Sequence, residues 1–217
     1  MNRSINGTMI DSETLALGPK ALIWEVAVVP FRINIFEDGA TWETTGLPYH
    51  AMIDYGDMST RGFDIDMRTI GWTSRQRRGD PAWDYWREKH FNPGADLKAL
   101  PRPGVMLQDP SNVLFNMSHM VGDKPVWFRN AAFDVPAIEN LAGICQREMP
   151  WHRRQQSDLY TQINMIKQFM DFDDKLPAAA EHTALSDAMA QIGQLTDITG
   201  KLYAQRAPSA DLGEVTP

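Results

Sequence analysis

The chain has 217 residues, a formal net charge of -7 and a single cysteine, Cys145, which rules out an internal disulfide framework or a cysteine-built zinc site and makes the reducing cytoplasm the expectation. The negative balance argues against a protein that coats nucleic acid through net positive field. No apolar run approaches a membrane span, and the polar Met1–Thr8 lacks the apolar stretch of a secretory signal.

The length suits one full-sized domain with its own core. Met9-Ile10 leads into Asp11 as a short strand, and Gly18-Pro19 marks a turn. The apolar, β-branched run from Ala21 to Phe31 reads as a mostly buried strand. Glu37-Asp38-Gly39 predicts a hairpin turn, with a third strand within Thr41 to Tyr55. Thr69 to Lys89 predicts a helical stretch that mixes Trp72, Trp83 and Trp86 with five basic residues, and Phe91 to Gly104 predicts the longest loop. Asp109-Pro110-Ser111 opens a helix that runs to about Met120 and stops at Gly122. Pro125 to Phe128 reads as a short strand. Pro136 reads as an early position of the next helix, which has Ile138, Leu141, Ala142 and Cys145 on one face. Ser157 to Met170 and Thr183 to about Leu202 predict two more helices. The domain is expected to span residues 1–206, with a small, polar, disordered tail at residues 207–217. Strands that come first as a meander, then helices alternating with short strands, predict one mixed α/β sheet covered by helices.

Five residues organise a functional reading: Asp11, Glu13, Asp134, His182 and Asp187. Four carboxylates gather in a fold only if something cationic holds them. Two divalent metals would do so, and a nearby histidine would then have a water to deprotonate. Asp11 and Glu13 are two apart on a strand, so both reach one face while Ser12 points away. Asp134 follows the Val126–Phe128 strand and opens a helix, and Asp187 lies in the first turn of the last helix. Strand ends and helix starts are where α/β folds build sites. Five positions separate His182 from Asp187, which on one continuous helix would put them on different faces. Thr183 is therefore read as the N-cap and His182 as a loop residue outside the helix, free to swing onto a water. The chemistry that fits is phosphodiester hydrolysis, with metals about 3.5–4 Å apart activating the water and stabilising the leaving oxygen. Hard oxygen ligands favour Mg2+ or Mn2+.

In that order, Asp11-Ser12-Glu13, Asp134 and the His182/Asp187 pair resemble the three motifs of the DEDDh branch of the proofreading-type 3′–5′ exonucleases, whose fold is ribonuclease H-like. Within the branch the sequence is most similar to the phage exodeoxyribonuclease A group and related bacterial exonucleases. That similarity rests on Ile10 to Leu15, Arg61-Gly62-Phe63, Thr69-Ile70-Gly71-Trp72 with Gln76, Val126-Trp127 leading to Asn130 and Phe133-Asp134, Pro150-Trp151, and the final His/Asp pair. It runs from about Thr8 to Leu195. The resemblance implies a ribonuclease H-like mixed sheet with an antiparallel N-terminal meander and helices on both faces. It implies Asp11, Glu13, Asp134 and Asp187 as ligands of two Mg2+ or Mn2+ ions, with His182 as general base. It implies Thr14, Leu15, Trp72, Gln76, Asn130 and Phe133 as substrate contacts. The expected activity is release of nucleoside monophosphates from single-stranded DNA ends, in the cytoplasm (a host's, if phage-encoded), with a homodimer left open. Exoribonuclease action on short RNA or RNA tails is the alternative, and a non-catalytic nucleic-acid-binding module is the alternative of another class. There are two departures. Ser12 replaces an apolar residue, which implies weaker packing behind the site. Gly71 replaces the first of a tryptophan pair, which leaves Trp72 open between substrate and core.

Other features have plainer readings. Asp134 alone could be only a helix cap. Asp158 starts a helix too; it reads either as a residue supporting the site from behind or as one that only favours its helix dipole, with the structural role preferred. The Arg68 to Lys89 segment is equally a strand-binding wall or a solvated helix with core tryptophans. Asp171-Phe172-Asp173-Asp174 reads as a solvated loop. His50, His90, His119 and His152 show no ligand spacing.

Overall fold

Two long strands carry the architecture. β1 (Arg3–Thr14) and β2 (Ile23–Ile35) pair antiparallel along nearly their whole length, from Arg3 opposite Ile35 to Thr14 opposite Ile23. Both faces of this ladder are covered, so β2 reads as a near-continuous apolar run rather than an alternating one. Met9, Ala27, Val29, Phe31 and Ile33 enter one core, and Ile10, Val26 and Val28 enter the other. The computed structural model describes residues 3–56, 62–92, 94–100, 105–176 and 182–204. The tail expected at residues 207–217 lies outside the described residues, as does Arg61.

The remaining elements follow in order: β3 (Ala40–Thr44), β4 (Tyr49–Ile53), α1 (Met67–Gln76), α2 (Pro81–Phe91), β5 (Met106–Gln108), α3 (Pro110–Val121), β6 (Val126–Phe128), α4 (Ala131–Ile144), β7 (Gln156–Asp158), α5 (Leu159–Ile166) and α6 (Ala184–Ala204). The seven-stranded sheet has the order β5-β4-β2-β1-β6-β7, with β3 also on β2. The β1–β2, β2–β3 and β2–β4 pairs are antiparallel, and the β1–β6, β6–β7 and β4–β5 pairs are parallel. One core takes Ile70 of α1, Trp83 and Trp86 of α2, Val113 of α3 and Ile138 of α4. The other takes Leu159 and Ile163 of α5 with Ala188 and Ile192 of α6. The sheet is thus mixed, starts as an antiparallel meander and carries helices on both faces, as a ribonuclease H-like fold requires.

Several local expectations change. The third strand is two, β3 and β4, because Gly46 and Pro48 interrupt the run and β2 is long enough to pair β4 at Glu25–Val28 and β3 at Phe31–Ile35. The helical stretch expected over Thr69 to Lys89 is broken in two. Gly79 takes a positive φ of 79°, Asp80 caps α2 by accepting from the Ala82 N–H, and Pro81 is its first residue. Trp83 and Trp86 are fully buried beside Trp24, at ring separations of 4.7 and 6.0 Å, so two of the segment's three tryptophans are core. Pro136 lies inside α4, beyond its first turn, because the helix already begins at Ala131. The helix expected from Ser157 starts only at Leu159, after the short strand β7, and ends at Ile166 rather than Met170. Cys145 ends α4 and packs against the core, as its helical position predicts.

Candidate active site

The acidic cluster forms where β1, α4 and α6 meet. Alternation along β1 puts Asp11 and Glu13 on one face, where their cross-strand partners on β2 are Ala27 and Glu25. α6 reaches the same face. Thr183 and Ser186 cap its start reciprocally, through Ser186 N–H to Thr183 Oγ1 and Thr183 N–H to Ser186 Oγ. That capping leaves His182 outside the helix and sets Asp187 in its first turn. Asp11, Glu13 and Asp187 each offer a carboxylate oxygen within 4.8 Å of the other two.

Asp134 is buried in the first turn of α4, and Ser12 Oγ donates to its Oδ1 at 2.6 Å. The serine between the two acids joins β1 to the fourth carboxylate. Asp158 fixes the helix that carries Asp134. Its Oδ2 accepts from the Ala131 N–H and its Oδ1 from the Thr161 N–H, both at 2.6 Å. Asp158 therefore caps α5 and the start of α4 together, which is the structural role expected of it. Gln191, buried one helical turn after Asp187, donates to Asp11 Oδ1 at 2.6 Å.

Without a cation the group holds its protons tightly. Burial raises the Asp11 carboxyl well above the usual range, and the charges of Asp134 and Glu13 raise it further, against the Gln191 hydrogen bond. Glu13 is pushed up to about 8 by burial, then by Glu25 and Asp187, with Arg77 opposing. Asp134 is pushed up to about 7 by burial, against the hydrogen bonds from Ser12. Burial also raises Asp187, while His182 and Arg129 pull it back. Carboxylate oxygens at this spacing, each reluctant to ionise beside the others, could hold a metal ion.

Behind the cluster lies a second charged group that the sequence reading did not find. Glu25 is fully buried on β2. His50 Nε2 lies 2.6 Å from its Oε1, Arg77 Nη2 donates to Oε1 at 3.1 Å, and the Ala184 N–H donates to Oε2 at 3.4 Å. Arg77 follows the end of α1, pairs with Asp80 at 2.7 Å, and sets its guanidinium 4.9 Å above the Trp24 ring. Its Nη1 donates to the backbone carbonyl of His182. A cleft of about 560 Å³ opens beside these groups, lined by Glu25, His50, Gln76, Arg77, Arg78 and His182 among others.

The expected substrate contacts divide. Trp72 is 48% exposed on α1, Gln76 lines the cleft, and Asn130 is exposed at the start of α4 with Phe133 half-buried beside Asp134. Leu15 does not fit its expected role. It is fully buried, its N–H bonds Leu22 and its carbonyl accepts from Asp66, so its side chain has no face for a nucleotide. Leu17, two residues on, is 84% exposed. Thr14 is also buried, its hydroxyl bonded to the Ala16 carbonyl at 3.0 Å. Of the residues missed, Glu25 carried a signal, since a lone acid within an apolar strand needs a buried partner. Arg77 carried none that separated it from Arg75 and Arg78.

No curated protein matches the chain at a significant level. The sequence does match a family described as Rv2179c-like, a 3′–5′ exoribonuclease Rv2179c-like domain, over residues 6–199. That span runs from within β1 through most of α6, so the chain belongs to this exonuclease family.

Proposed function

We propose that this member of the Rv2179c-like family is a divalent-metal-dependent 3′–5′ exoribonuclease that trims single-stranded RNA one nucleotide at a time. The carboxylate cluster of Asp11, Glu13 and Asp187, with Asp134 fixed beside it by Ser12, is the observation that supports this reading most. The family's description favours RNA, so the expectation of a DNA substrate gives way to the one first held as its alternative.

Asp11, Glu13, Asp134 and Asp187 would hold two Mg2+ or Mn2+ ions. Bound there, the ions would acidify the attacking water and stabilise the leaving oxygen. His182 takes the proton from that water at an imidazole nitrogen. Its exposed position just before α6 leaves its imidazole open to solvent on the side of Asp187. The water oxygen bonds to phosphorus and the bond from phosphorus to the penultimate O3′ breaks. That oxygen takes a proton, and a nucleoside 5′-monophosphate leaves. Trp72, exposed on α1, offers a stacking surface to the bases, and Asn130 and Phe133 flank the start of α4 beside Asp134. No base edge is read in this arrangement, so cleavage is indifferent to sequence. A non-catalytic module on this fold would have no need of carboxylates gathered this closely.

The experiment is digestion of matched end-labelled RNA and DNA oligonucleotides, single- and double-stranded, with Mg2+, with Mn2+ and with EDTA. The expected result is a ladder shortening from the 3′ end of single-stranded RNA, silent in EDTA and absent in the Asp11→Ala and Asp187→Ala variants. Digestion that survives both substitutions would overturn the site, and DNA degraded as fast as RNA would overturn the substrate.

A further inference from the structure

His182 enters α6 from outside the helix, so its own helix does not fix where its ring sits. Its side chain is exposed. Among the described residues, the side-chain hydrogen bond that fixes its backbone comes from Arg77 across the cleft. Arg77 is itself immobilised on every side. One guanidinium nitrogen holds Glu25, Nε faces Asp80, and the plane lies over Trp24. Glu25 in turn is held by His50 and by the Ala184 N–H at the first residue of α6. The start of α6 is therefore gripped at two adjacent points. Glu25 takes the amide of Ala184, and Arg77 takes the carbonyl of His182.

We propose that Arg77 is a positioning residue for the reaction, holding the His182 backbone so that the imidazole stays over the carboxylate cluster. The proposal rests on His182 being the general base. Arginine suits this task in a way lysine does not. Its planar fork serves Glu25 with one nitrogen and the His182 carbonyl with another at fixed separation, whereas a lysine ammonium is a single point charge on a flexible stem. Arg77 makes no hydrogen bond to the carboxylates of the cluster, but its charge does act on Glu13 and Asp187. Arg77→Lys keeps that charge, so a loss of turnover that disappears once His182 is gone passes through His182.

Coupling in a double-mutant cycle tests this. The full-length protein is assayed on a short single-stranded RNA with Mn2+, as wild type, Arg77→Lys, His182→Ala and the double variant. Arg77→Lys keeps a charge beside Glu25 and is expected to keep the fold. The expected result is a fall in kcat of about 10-fold or more for Arg77→Lys with KM unchanged, and no further fall when it is added to His182→Ala. Equal losses from Arg77→Lys in both backgrounds, or a change in KM alone, would overturn the proposal, since a structural role is blind to the base. If His182→Ala alone leaves kcat intact, the reading of His182 fails, and this proposal with it, by a separate result. Should Arg77→Lys lose its thermal transition, the Glu25→Gln/Arg77→Gln pair removes the ion pair as a unit, and the same cycle with His182→Ala decides the question.

Discussion

Removing divalent metal and raising the pH should loosen this fold by an amount the acidic cluster sets. Glu13 titrates at about 8 in the folded protein against an ordinary 4.5, and Asp134 at about 7 against 3.8. A carboxyl whose folded pKa lies above its unfolded value binds its proton more tightly when folded. The resulting stability is fully present below the unfolded value and is lost as pH rises through the folded one. His90 acts oppositely, because burial lowers its ring below 6.5, but above pH 6.5 it returns less than about 0.5 kcal/mol as the unfolded histidine loses its proton. Between pH 6.5 and 8.5 Glu13 gives up roughly 2 kcal/mol and Asp134 about 1 kcal/mol. Proton sharing within the cluster and partial access of water to Glu13 reduce the sum to about 2 kcal/mol. For a chain of this size that is a fall in Tm of roughly 4–8 °C. Calorimetry in EDTA at the two pH values measures it. Repeating the pair with Mn2+ should abolish most of the difference, because the cation replaces the protons, and Asp187→Asn should raise Tm at pH 8.5 in EDTA. A Tm in EDTA that is flat, or that rises, across this interval would refute the claim that these carboxylates crowd one another.

Other substitutions probe the scaffold of the site. Ser12→Ala removes the 2.6 Å hydrogen bond to Asp134 and should lower Mn2+ affinity, read by calorimetric titration, by about 10–100-fold while the fold persists. Asp158→Ala strips the acceptor from the Ala131 and Thr161 amides at once and should cost about 2 kcal/mol in urea unfolding. Trp86→Ala, in the core, should cost about 3–5 kcal/mol. Trp72→Ala, on an exposed helix face, should change stability by less than about 0.5 kcal/mol yet weaken binding of single-stranded RNA several-fold in a fluorescence titration.

The parts of this molecule that were legible in its sequence are those written by local rules. Alternation put Asp11 and Glu13 on one face, and the five-residue spacing before Asp187 forced His182 outside α6, where the Thr183–Ser186 capping indeed leaves it. The break after Arg77 is also written locally, in Gly79-Asp80-Pro81, between two segments of the same aromatic and basic composition. β5 and β7 have three residues each and owe their existence to a parallel neighbour rather than to their own composition, so no window of sequence contains them. Leu15 shows the limit of reasoning by motif. The resemblance implied contact with substrate, whereas the side chain lies fully buried in the core, with the backbone bonded to Leu22 and Asp66.

The pairing of Glu13 with Glu25 explains why the site needs so much support. Like charges directly opposite on neighbouring strands destabilise a sheet, and here both lie beneath a helix. The sheet keeps Glu25 because His50, Arg77 and an amide of α6 hold it, while among the described residues no side-chain hydrogen bond reaches the Glu13 carboxyl, which burial and the charges of Glu25 and Asp187 keep protonated against the pull of Arg77. The two carboxylates thus have opposite fates in one environment. Glu25 has its compensation built in and serves to anchor α6, whereas Glu13 sits in a negative field that Arg77 offsets only in part and that a cation would relieve. If this is right, Glu25→Gln should lower the proton affinity of Glu13 and weaken the pH dependence of stability in EDTA. A pH slope unchanged by that substitution would show that Glu25 does not press on Glu13.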